Sequence, residues 1–158
     1  MNSELPDGIH DDVCRLSANG DTLANEGDFA GAVMQYERAL ALLPPPIEEW
    51  SAATWLFTAI GEAHFFAEEF ENARVALNKA SLCPQALDNP LLWLRRGQVY
   101  FELGDTHLAD DCLASAYMLG GDKIFESEDP KYAEYIQTKL KDSEAPSHER
   151  QQQDCETL

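Results

Sequence analysis

Residues 27–44 read GDFAGAVMQYERALALLP, and two later stretches carry the same pattern: FENARVALNKASLCP at 70–84 and GDTHLADDCLASAYMLG at 104–120. In each, an alanine (Ala32, Ala73, Ala109) is followed four residues on by a bulky residue (Tyr36, Leu77, Leu113), and then by a second alanine (Ala39, Ala80, Ala116). Positions i, i+4 and i+7 lie on one side of an α-helix, so each stretch predicts a helix with a small-large-small packing face. The opening alanines are 41 and then 36 residues apart, in the range of stacked helical repeats. Such units bury their apolar faces only against one another, and the resulting solenoid offers an extended concave surface rather than a closed pocket. The fold class is therefore all-α, and the functional question moves from catalysis towards binding.

A second pattern precedes each of these helices: Leu16, Gly20 and Leu23; Phe57, Gly61 and His64; Trp93, Gly97 and Tyr100. Two large residues with a glycine between them, at i, i+4 and i+7, mark a face that another helix must approach closely. Each unit is thus a pair of antiparallel helices joined by a glycine or acidic turn. Over Cys14 to Gly121 these residues resemble the tetratricopeptide repeat, W-x2-L-G-x2-Y…A-x3-F…A…P. The sequence departs from that pattern at Asn19, Arg96, His64 and Thr106. The resemblance implies three helical hairpins in a right-handed solenoid, with repeats at 13–46, 47–87 and 88–121.

Between the first two units lies Pro44-Pro45-Pro46-Ile47-Glu48-Glu49-Trp50. Proline ends the preceding helix and fits the first turn of the next, which predicts a projecting helix from Ile47 to Ala67. Gly120-Gly121 breaks the last repeat helix. Asp129-Pro130 then reads as the cap and first position of another helix, at 129–142, with Tyr132, Tyr135, Ile136 and Leu140 as its apolar stripe. This helix would cap the solenoid and complete a single domain over 1–142. The remainder, 143–158, is polar and acidic without periodicity and reads as a disordered tail.

The chain has 29 acidic and 11 basic side chains, a net charge of −18. That field repels nucleic acid and anionic membranes and attracts basic surfaces over about 8 Å at physiological salt. No basic end followed by an apolar run opens the sequence, and no stretch reaches the ~18 apolar residues of a membrane span. Cys14, Cys83, Cys112 and Cys155 are scattered without a CxxC pair. These features predict a soluble cytoplasmic protein with reduced thiols.

Catalytic signals are sparse. His107, Asp110, Asp111 and Cys112 form the densest cluster of reactive groups, but no orienting third group or oxyanion site accompanies them. His10, His64, His107 and His148 have no partner ligand at metal spacing, and no glycine-rich phosphate cradle is present. The expectation is a non-enzyme without metal or cofactor.

In tetratricopeptide repeats the first helix of each pair lines the concave face. The resemblance carries that role onto Cys14, Ser17, Asp21 and Asn25, onto Trp55, Thr58, Glu62, Phe65 and Phe66, and onto Leu91, Leu94, Gln98, Phe101 and Glu102. Asp21, Trp55, Glu62, Phe65, Phe66, Gln98, Phe101 and Glu102 are the partner-binding candidates, joined by Trp50 on the expected helix extension. Aromatic anchors with carboxylates suit a basic, partly apolar protein. Repeats that clamp acidic peptide tails use basic residues instead. Here Ser17, Asp21, Glu62 and Leu91 stand at the matching positions, and Arg95 is the one that fits. The segment Lys123 to Tyr132 resembles the closing segment of small bacterial tetratricopeptide proteins encoded beside Rhs-type secreted toxins. That resemblance implies immunity: binding and neutralising a basic toxin domain. The alternative is a secretion chaperone or adaptor holding an effector segment; the oligomeric state stays open.

Overall fold

The computed structural model describes residues 4–142. Among them are seven α-helices and no strand: α1 Asp7–Asn25, α2 Phe29–Ala41, α3 Ser51–Phe66, α4 Phe70–Ser81, α5 Pro90–Leu103, α6 Thr106–Gly120, and α7 over 130–142. α1 packs on α2, α3 on α4 and α5 on α6, while contacts of α2 with α3 and of α4 with α5 join the pairs into one row. The expected tail at 143–158 lies outside the described residues.

Close approach at a glycine sets the spacing within each pair. A Cβ built on Gly20 would sit 2.5 Å from the Tyr36 ring; on Gly61, 2.5 Å from the Leu77 side chain; on Gly97, 2.6 Å from the Leu113 side chain. In every case the intruding residue lies sixteen positions downstream, on the second helix of the same pair. The alanines complete the packing: Ala32, Ala39, Ala73, Ala80, Ala109 and Ala116 are all 0% exposed, small residues filling the interior beside the larger ones.

The Gly-Asp dipeptides are explained by the turns. Gly27 and Gly104 adopt φ of 86° and 83°, a left-handed conformation that glycine reaches without a Cβ clash. The next residue caps the second helix: Asp28 Oδ1 accepts from the Gly31 amide at 2.9 Å, and Asp105 Oδ1 from the Leu108 amide at 3.2 Å. In the middle pair Glu68 takes the same backbone role at φ 60°, and Glu69 makes no side-chain cap.

At the far end, α7 lays Tyr132 and Ile136 into a cluster with Leu94, Leu113, Ala116 and Phe125. It covers the α5–α6 pair as expected of a capping helix. No helix among the described residues is long and apolar enough to cross a membrane.

The connection after α2 differs from expectation. Ile47–Glu49 forms a single 3-10 turn, Trp50 is extended at φ −90° and ψ 133°, and α3 begins at Ser51. Two hydrogen bonds form here: the Trp50 amide closes onto the Ile47 carbonyl at 3.2 Å, and its indole N–H donates to the Pro44 carbonyl at 2.6 Å. The first only closes the 3-10 turn and the second anchors the Trp50 side chain on Pro44 while its backbone is extended, so no projecting helix runs over 47–67. The longest of the helices bounded within the described residues is instead α1, which starts at Asp7, before the expected first repeat.

Gly97→Ala should lower stability by about 1–3 kcal/mol, because the Leu113 side chain and amide nitrogen both lie at the added methyl. Gly8→Ala, with nothing within 4 Å, should leave stability unchanged or slightly raised. Urea unfolding of the two variants against wild type checks the contrast. By the same measurement Glu68→Gly should stabilise by roughly 0.5–1 kcal/mol, through relief of the left-handed strain less the entropy that glycine adds to the unfolded chain.

Candidate protein-binding groove

The last turns of α1, α3 and α5 carry the chemistry of the first-helix face of the row. α1 contributes Asp21 and Asn25, α3 contributes Glu62, Phe65 and Phe66, and α5 contributes Glu102. After the 3-10 turn Asp122–Phe125, the chain returns to this face and adds Glu128, Asp129, Lys131 and Tyr132.

At the centre is Arg95, whose side chain is 8% exposed. Its Nε donates to Glu62 Oε1 at 2.8 Å, and its Nη1 donates to Glu128 Oε2 at 2.6 Å and to Gln98 Oε1 at 2.9 Å. Gln98 Nε2 donates to the same Glu128 oxygen at 2.9 Å. The guanidinium also lies 5.5 Å from the Phe65 ring and 5.0 Å from the Phe66 ring. Burial works against the Arg95 charge, but the Glu128 and Glu62 carboxylates outweigh it and raise its pKa. This network ties α3, α5 and the returning segment together, and it leaves the cation with two carboxylates.

A second tie lies at its edge. Glu102 Oε1 accepts from the Tyr132 hydroxyl and pairs with Lys131 Nζ, each at 2.6 Å. Burial pushes the Glu102 carboxyl up, but the Lys131 and Tyr132 hydrogen bonds prevail and hold it below its ordinary value. Burial, then the bond to Glu102, raises the Tyr132 hydroxyl.

Phe66 is 52% exposed and divides two cavities. On one side, about 380 Å³ is bounded by Asp21, Asn25, Phe29, Tyr36, Glu62 and Phe66. On the other, about 550 Å³ is bounded by Phe66, Glu68, Phe70, Glu102, Asp129 and Lys131, among others. The Phe66 ring stacks on Phe29 with centroids 6.3 Å apart and meets Phe65 edge-on at 5.4 Å. The groove is thus an aromatic ridge flanked by carboxylates, with Lys131 the partly exposed cation at its far side.

Of the residues expected to face a partner, Asp21, Glu62, Phe65, Phe66 and Glu102 gather here. The other four are placed differently. Gln98 is 0% exposed and consumed by the Arg95 network, which takes it off the open surface. Phe101 is half-buried, with Tyr132 and Tyr135 edge-on to its ring at 5.4 and 5.0 Å. Trp55 is 41% exposed but borders neither cavity. Trp50 is tied to the connection after α2, beside a separate cavity of about 920 Å³ bounded by Glu48, Glu49 and Leu82. Ser17, Thr58 and Leu94, also carried onto the concave face by the repeat register, are buried. Phe29, Glu128, Asp129 and Lys131 were not anticipated. Phe29 follows a Gly-Asp turn and reads as packing, while Glu128 reaches Arg95 across 33 residues and leaves no local signal.

The reactive cluster on α6 is dispersed. His107 and Asp111 are 3.9 Å apart on an exposed surface, whereas Cys112 is buried against Tyr100 and Ala109. Burial raises the Cys112 thiol, which disfavours the reactive thiolate. Asp110 accepts a hydrogen bond from the Tyr135 hydroxyl and lies 3.7 Å from Lys139. Among the described residues no group of three or more His, Cys, Asp or Glu is arranged to hold a metal.

Residues 91–119 match the family model of the tetratricopeptide repeat. The fold is similar to the second tetratricopeptide domain of human RPAP3 in complex with the HSP70 peptide SGPTIEEVD, at 18% identity and TM-score 0.63 over 82% of this chain and 96% of that one. It is likewise similar to the tetratricopeptide domain of Arabidopsis OM64, at 19% identity and TM-score 0.63 over 85% of this chain and 98% of that one. The corresponding domain of Sgt2 from Aspergillus fumigatus aligns at 15% identity and TM-score 0.62, over 86% and 82% of the two chains. No curated protein matches this sequence. The helix pairs closed at glycine, the repeat match on α5 and α6 and the similarity to solved structures lead to one conclusion: this chain has the tetratricopeptide-repeat fold, with one repeat matched by the family model at 91–119.

Proposed function

We propose that this chain is a non-enzymatic protein-binding module whose groove receives a basic, partly apolar partner, and that its role is to neutralise a secreted toxin domain in the bacterial cytoplasm. The observation that carries the groove reading is the charge balance around Phe66. Asp21, Glu62, Glu68, Glu102, Glu128 and Asp129 surround the ridge, and Arg95, the buried cation at its centre, is already matched by Glu62 and Glu128. Exposed aromatic surface supplies affinity once water is excluded, and the carboxylates set orientation and association rate.

The peptides bound by the RPAP3 domain and by the related Spaghetti domains end in acidic residues. An acidic tail is a poor occupant here, because it would have to displace Glu62 or Glu128 from Arg95 and approach the remaining carboxylates. A toxin that acts on nucleic acid or nucleotides commonly presents a basic face, which a protein of charge −18 can cover. The resemblance of the segment 123–132 to the closing segment of toxin-associated immunity proteins supports this specific role.

Co-expression with the product of the adjacent upstream gene tests it. That product alone should stop growth, wild-type chain should restore growth, and Phe66→Ala should weaken the complex by about 30-fold or more, as expected on truncating an interface anchor. Continued killing in the presence of wild-type chain would remove the immunity role. Binding without rescue would mark a chaperone or adaptor. Complex formation should also weaken steeply between low and physiological salt, as measured by calorimetry.

A further inference from the structure

The cavity between α1 and α3 has walls of two kinds. Phe66 and Phe29 form an aromatic side, and Ala59 and Ala63 also line the cavity. Asp21 and Glu62 supply carboxylate acceptors, and Asn25 adds an amide. The two carboxylates line the same cavity, and the Tyr36 hydroxyl, also on its wall, donates to Asp21 Oδ1 at 2.6 Å. Each has one oxygen engaged within the protein, Asp21 by Tyr36 and Glu62 by Arg95, so each has another to offer. Arg95, on the other flank of Glu62, adds one positive charge against the three carboxylates of Asp21, Glu62 and Glu128.

We infer that this cavity is a docking pocket for an arginine side chain of the partner, its guanidinium bonded to Asp21 and Glu62 and its plane against Phe66. Charge complementarity selects a cation. The shape selects arginine over lysine, because a planar guanidinium makes forked bonds to carboxylates while its flat face covers an aromatic ring, and a compact ammonium does neither. Its weaker hydration also eases entry into a cavity with an apolar wall. This inference rests on the reading of the groove as a receptor for a basic partner, and it names the element of that partner which the groove recognises.

The probe is arginine capped as its N-acetyl methylamide, titrated into the full chain at low salt and followed by amide chemical shifts. Capped citrulline, of the same shape without charge, and capped lysine serve as comparisons. Saturable shifts confined to 21–29 and 59–66, absent with citrulline and weaker with lysine, are expected. Asp21→Asn, which keeps an oxygen to accept from Tyr36, should weaken arginine binding about fivefold or more, and Phe66→Leu should remove the preference over lysine. Glu134→Gln, on the exposed face of α7, should change nothing. Equal shifts with citrulline, no saturable response to arginine, or undiminished binding in both Asp21→Asn and Phe66→Leu would overturn the pocket. Should Asp21→Asn fail to fold, the arginine-to-lysine ratio in Phe66→Leu decides. A basic partner that occupies the groove with unchanged affinity in Asp21→Asn defeats the pocket alone. Specific capture of capped arginine by a chain that binds no basic protein defeats the broader reading alone.

Discussion

The three glycine contacts govern the rest of the molecule. Gly20 against Tyr36, Gly61 against Leu77 and Gly97 against Leu113 bring the two helices of each pair close, with Ala32, Ala39, Ala73, Ala80, Ala109 and Ala116 fully buried on the second helices. A methyl at any of these sites would have to displace a packed side chain, and interiors at crystal-like density yield little. The α2–α3 and α4–α5 contacts then stack these pairs, so that residues of α1 and α3 line one cavity and α3 meets α5 through Glu62 and Arg95. Carboxylates and rings that are far apart in the chain thereby become neighbours.

On this frame, one polar network decides how the groove is closed. Arg95 on α5 holds Glu62 on α3 and Glu128 on the returning segment, with Gln98 bonded to both Arg95 and Glu128. Buried ion pairs contribute little net stability once desolvation is counted, but an unmatched member is costly. Their effect here is positional. Glu128 is held over the ends of the helices, Asp129 and Lys131 are brought to the groove's edge, and the groove's central cation becomes an internal contact rather than an open one. The charge left facing outward is therefore acidic, and the exposed Phe66 ridge lies within it.

Most of the architecture was legible in the chain because its causes are local. The alanine and glycine spacings place the packing faces, Gly-Asp marks a left-handed turn followed by an N-cap, and Asp129-Pro130 opens the capping helix. The expected extension of α3 failed for a reason that spacing cannot express: Trp50 is extended, and its indole N–H is bonded to the Pro44 carbonyl. The groove was legible only in part. Asp21, Glu62, Phe66 and Glu102 follow from repeat register, whereas register could not tell that Gln98 turns into a buried network or that α7 covers Phe101.

Helix periodicity, turn chemistry, the repeat and the acidity of the molecule are properties of neighbouring residues and of composition, so the order of amino acids was enough to decide them. Which carboxylates stay open to a partner depends on contacts across 30 or more residues, such as Glu128 with Arg95 and Tyr132 with Glu102. Those contacts exist only after the helices have stacked, because stacking is what places one buried cation within reach of two particular carboxylates and beyond reach of the others. The tertiary structure therefore settled the groove's outward charge and its division at Phe66.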